Sequence, residues 1–84
     1  MYKHTDLYVF RNRLVFKFPG DLEVCVLKYE FDDDNHLIIE YGLLHGEYQT
    51  PNQHNEVGEE IANVITNLLQ QEVERYERDN QHNL

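Results

Sequence analysis

Residues 55–76 read NEVGEEIANVITNLLQQEVERY, and this stretch decides the fold. Val57, Ile61, Val64, Ile65, Leu68, Leu69, Val73 and Tyr76 recur three and four residues apart, which lays one apolar stripe along a helix. Asn55 is placed to cap its start, because an Asn side-chain oxygen accepts a free backbone N–H. Glu56, Glu59 and Glu60 then fall in the first turns and Arg75 and Arg78 in the last, each sign matched to the helix dipole. The spacing predicts a helix of about 23 residues, roughly 35 Å long. The polar residues 80–84 are expected to fray as a tail on a single domain spanning 1–79.

Ahead of the helix the period changes from 3.6 to 2. Leu7–Phe10 and Leu14–Phe18 are β-prone runs joined at Arg11-Asn12-Arg13, which predicts a hairpin with a basic tip. Pro19-Gly20-Asp21 is a turn, since Pro presets φ and Gly permits φ > 0. Leu22–Phe31 reads as a third strand, Asp32-Asp33-Asp34-Asn35 as a turn, and His36–Tyr48 as a fourth strand. The predicted class is α+β: a four-stranded antiparallel β-meander followed by one C-terminal amphipathic helix packed on one sheet face, in the order ββββα.

Strand alternation leaves more apolar surface than one helix covers. Leu14, Phe16 and Phe18 share a face, as do Leu22, Val24 and Val26, and Leu37, Ile39, Tyr41 and Leu43. Behind them lie Cys25, Leu27, Tyr29 and Phe31 on the third strand and Ile38, Leu44 and Tyr48 on the fourth. A bulge near Val26–Leu27 would bring both sets to one side. Without it, the uncovered face is a patch that a monomer rarely tolerates. A homodimer is expected to bury it, with Tyr8, Phe10, Tyr29, Phe31 and Tyr48 as aromatic anchors.

Charge is distributed unevenly along the 84 residues. The formal net charge is −9. Residues 1–28 hold five bases against three acids, whereas residues 29–74 hold eleven acids and neither Lys nor Arg. Such a segment repels itself, gathers counterions or meets a cationic partner. Its sign argues against direct nucleic-acid binding, which needs Lys and Arg on phosphates, and against anionic membranes. No apolar run is long enough to span a bilayer, and the N-terminus lacks a signal-peptide layout, so a cytoplasmic setting is expected.

Catalytic chemistry finds little purchase. The chain has no Ser and no Gly-rich phosphate loop, and its one thiol, Cys25, sits between two valines as a buried small hydrophobe would. Asp32, Asp34 and His36 alternate as a calcium loop begins, but Leu37 and Leu43 stand where that loop needs Gly and Glu. His45 and Glu47 share a strand face without a spaced third ligand. No cofactor, no metal and no enzymatic activity are expected. In size and acidity the chain is similar to small phage-encoded inhibitors and bacterial immunity proteins, a likeness of class that assigns no residue. The function expected is a non-enzymatic binding protein, presenting Glu30, Asp32, Asp33, Asp34, Glu56, Glu59 and Glu60 to the basic nucleic-acid-binding surface of a host-defence nuclease or related protein. The alternative is a homodimeric structural or assembly module without an electrostatic target.

Overall fold

In a computed structural model, which describes residues 2–46 and 50–82, four antiparallel strands form one sheet and a single helix follows. The strands are β1 (Asp6–Phe10), β2 (Arg13–Phe18), β3 (Leu22–Phe31) and β4 (Leu37–His45), ordered β1-β2-β3-β4, and the helix is α1 (Pro51–His82). This is the ββββα meander that the alternation and the helical stripe imply. Tyr48, expected at the end of the fourth strand, lies outside the described residues, as does Glu47.

The turns follow from their residues. Arg11 and Asn12 both have positive φ (53° and 66°) between the paired Phe10 and Arg13, the two-residue hairpin turn whose twist matches the flanking strands. At the β3–β4 turn, the Asn35 N–H donates to the Asp32 carbonyl (3.1 Å), with Asn35 itself left-handed at φ 64°. Gly46 closes β4 at φ 80°, and a Cβ there would lie 3.1 Å from the Asp21 carbonyl oxygen and the Leu22 Cα. Only glycine fits that position without displacing backbone.

The helix starts five residues earlier than the sequence suggests. Thr50, not Asn55, is the cap: its Oγ1 accepts the Gln53 N–H at 3.1 Å, and Pro51 occupies the first helical position, where its missing N–H costs nothing. Glu56, Glu59 and Glu60 therefore lie beyond the first turn, which contains no acid, and out of reach of the dipole's strongest effect. The helix has 32 residues, about 48 Å of length.

That length exceeds the sheet. Val57, Ile61 and Ile65 are fully buried against Phe16, Phe18, Leu22, Val24 and Val26, with Leu14, Leu37, Ile39 and Tyr41 at the edge of this core. From Gln70 through Asp79 every residue is exposed, and Val73 and Tyr76, expected in the core, are 56% and 69% exposed. The overhang explains a radius of gyration of 15.1 Å, against about 12 Å for a compact chain of this size. Gly58 sits inside the helix despite its poor propensity because a Cβ there would press on the Tyr41 hydroxyl at 3.2 Å.

The alternation breaks at Val26–Leu27. Val26 pairs with Tyr41 but Lys28 pairs with Glu40, so Leu27 is inserted as a bulge. The inserted residue reverses the phase of β3. Tyr29 and Phe31 then pair with Ile39 and Leu37, which pack on the helix side, so both aromatics belong to the covered face, not the open one.

Candidate functional site

Three surfaces come out of this framework: the β3–β4 turn, the first half of α1, and the open face of the sheet. The turn is organised around Asp32. Its Oδ1 accepts the backbone N–H of Asp34 (2.9 Å) and of His36 (2.8 Å), and its other oxygen lies 3.5 Å from His36 Nδ1. Asp32 is thus the staple of the turn, a local role that Asp performs by competing with the backbone for N–H groups. Ligand atoms of Asp32, Asp34 and His36 lie within 4.8 Å of one another. Asp32 Oδ1 is engaged by two backbone donors and the group faces solvent, as exposed acidic groups commonly do without an ion. Asp33 and Asp34 are exposed at the tip and form no ion pair among the described residues.

The second acidic group is split by the helix. Glu56 and Glu59 are exposed and form no ion pair among the described residues. Glu60 turns in: its Oε1 lies 2.6 Å from His4 Nδ1, and only 11% of its side chain is exposed. The His4 ring stands edge-on to Phe16, with centroids 5.3 Å apart. Next to it Tyr2 stacks on Phe18 at 5.5 Å, donates its hydroxyl proton to the Pro19 carbonyl and accepts from Gln53 Nε2 at 2.7 Å. Tyr2 and His4 thereby seal the β2–helix edge of the core. No sequence pattern pointed to them, since both precede the first strand and act through residues about 50 positions away.

The seven acidic residues singled out from sequence do not form one patch. Glu30 is paired with Lys28 (3.6 Å), Asp32 staples its turn, and Glu60 is held by His4. The remaining four occupy two places. Glu56 borders a depression of about 480 Å³ beside Tyr2, Pro19 and Gly20, at the β2–β3 turn. Asp33 and Asp34 lie past the far end of the ten-residue β3, roughly 30 Å away.

The open face carries Tyr8, Phe10, Val15, Cys25 and Leu27. Leu27 is fixed there by its contact over Gly42, where a Cβ would meet its Cδ1 at 3.6 Å. Val15 and Cys25 are buried although no helix covers them, so Cys25 is the buried small hydrophobe that its neighbours suggest. Around them Phe10, Leu27, Ile38 and Leu44 are 40–50% exposed. Phe10, Arg11, Arg13, Cys25 and Leu44 line a groove of about 360 Å³, and the Arg11 guanidinium stands over the Phe10 ring at 5.3 Å. The Tyr8 hydroxyl donates to Glu23 Oε1 at 2.6 Å; that bond, followed by burial, raises Tyr8 above the ordinary tyrosine pKa. Of the aromatics expected at a dimer interface, Tyr8 and Phe10 lie here, Tyr29 and Phe31 lie on the other face, and Tyr48 falls outside the described residues.

No helix among the described residues is long and apolar enough to cross a membrane. No protein-family model, curated protein or solved structure matches the chain.

Proposed function

We propose that the protein is a small acidic, non-enzymatic binding protein, an inhibitor of the phage type acting in the cytoplasm, that occupies the basic nucleic-acid-binding surface of a host-defence nuclease or a related protein. One observation carries this reading. Asp33, Asp34, Glu56 and Glu59 are exposed and form no ion pair among the described residues, within a segment of 46 residues that contains no Lys or Arg. Two anionic points on a rigid body present carboxylates where a nucleic acid presents phosphates. Such complementarity accelerates association and selects partners more than it adds raw affinity.

The partner would be a protein with Lys and Arg spaced for a phosphate backbone, and the contact would weaken with salt. Affinity capture from the native host or its bacterial prey at low and at high salt tests this. The expected result is a basic, nucleic-acid-handling protein recovered at low salt only, and lost with Asp33→Lys/Asp34→Lys or Glu56→Lys/Glu59→Lys. Recovery of the same proteins at both salt levels and with both variants would refute the reading.

A further inference from the structure

The open face of the sheet has a charge pattern that is complementary to itself. On this face the β1–β2 half carries Arg11, Arg13 and Lys17 against Asp6, a net of two positive charges. The β3–β4 half carries Glu23, Glu30 and Glu40 against Lys28, a net of two negative charges. Between them lies the apolar strip of Tyr8, Val15, Cys25 and Leu27, with Phe10, Ile38 and Leu44 exposed around it.

We propose that a second copy of this chain packs on the open face, sheet to sheet, about a two-fold axis that runs along the strands. That axis places β1–β2 of one copy over β3–β4 of the other, so each positive half meets a negative half. The alternative two-fold, running across the strands, would set β1 on β1 and like charge on like. Charge therefore selects one of the two symmetric arrangements. The apolar rows agree with it. Tyr8, Val15, Cys25 and Gly42 form one cross-strand row with Tyr8 and Gly42 at its two ends. The axis reverses the row, laying Val15 on Cys25 of the second copy and the Tyr8 ring on Gly42 and the Leu27 side chain that covers it. Two sheets stacked in this way lie about 10 Å apart with strands nearly aligned, a gap that Arg13 spans to reach Glu40 of the second copy. Asp33, Asp34, Glu56 and Glu59 take no part, so this interface stands or falls independently of the acidic inhibitor reading.

The test uses the full chain and two charge reversals, Arg13→Glu and Glu40→Lys, both at exposed positions. Sedimentation velocity and native mass spectrometry should show the wild type dimerising at micromolar concentration, more weakly as salt rises. Each variant alone should dimerise at least about tenfold more weakly, because two-fold symmetry makes every substitution act twice. An equimolar mixture of the two variants should restore a 1:1 dimer, since both Arg13–Glu40 crossings then pair opposite charges. A wild type that stays monomeric at about 100 μM, a dimer indifferent to salt, or folded variants that dimerise as the wild type does, would each overturn the proposal. The salt series decides the matter even if a variant fails to fold.

Discussion

The two faces of the sheet come from the same four strands and are closed in different ways. On the helix side, Phe16, Val24 and Val26 meet Val57, Ile61 and Ile65, and the stacked ring of Tyr2 and the ring edge of His4 finish the seal. On the open side, Val15 and Cys25 are buried only by the side chains beside them, while Phe10 and Ile38 remain half exposed. An apolar residue therefore reaches zero exposure either beneath a second layer or beneath its own neighbours. The energetic depth of the two sites differs because only the first has packed atoms above it.

Truncation on each side measures that difference most strongly. Phe16→Ala empties a site enclosed from both directions and should cost about 3–5 kcal/mol in urea unfolding. Val15→Ala, equally buried but beneath a thin rim, should cost about 1–2 kcal/mol, because the rim can collapse into the space. Equal losses would show that the open face is already covered, as by a second copy.

A smaller effect should come from the polar seal. His4→Ala and Glu60→Ala should each cost about 1–2 kcal/mol, and a double-mutant cycle should return a coupling of about 1 kcal/mol, the measure of the single 2.6 Å contact. Thr50→Ala should cost about 1 kcal/mol and unwind the first turn in far-UV circular dichroism, whereas Asn55→Ala should leave that turn intact.

The smallest effect belongs to the polar contact of the open face. Tyr8 has its pKa raised in the folded protein, so its contribution is fully present below the unfolded tyrosine value of about 10 and is lost as pH rises above it. Wild-type stability should decline in that alkaline window more steeply than that of Tyr8→Phe. Matching slopes would mean that the Glu23 contact does not survive in solution.

Much of this architecture is legible in the chain. Of the residues that alternation groups together, Leu14, Phe16, Phe18, Leu22, Val24, Val26, Leu37, Ile39 and Tyr41 pack on the helix side, while Leu43, grouped with the last three, is 40% exposed. The helix start is ambiguous in the sequence for a local reason: Pro51 is a breaker inside a helix but favoured at its first position, and only Thr50 beside it separates the two cases. The bulge was visible as a possibility and no more. Val26–Leu27 is apolar on both sides of the insertion, so the sequence around it fits either phase, and pairing with β4 decides. The consequence for the candidate interface was large, since one residue moved Tyr29 and Phe31 across the sheet. The acidic candidates divided for another reason. Composition counts carboxylates but does not show which ones the chain uses itself, as it does Asp32 in its turn and Glu60 beneath His4.

The helix overhang has its own mechanical meaning. Residues 70–79 are all exposed, yet they continue a rod whose first turns are already clamped, so they inherit a nucleus that a free peptide of their length would have to form for itself. Such a segment opens from its tip inward, one residue at a time, like a zipper fixed at one end. Its amides should exchange with solvent in a graded series along the chain, the slowest nearest Leu69, while the clamped part holds its protons until the whole domain unfolds.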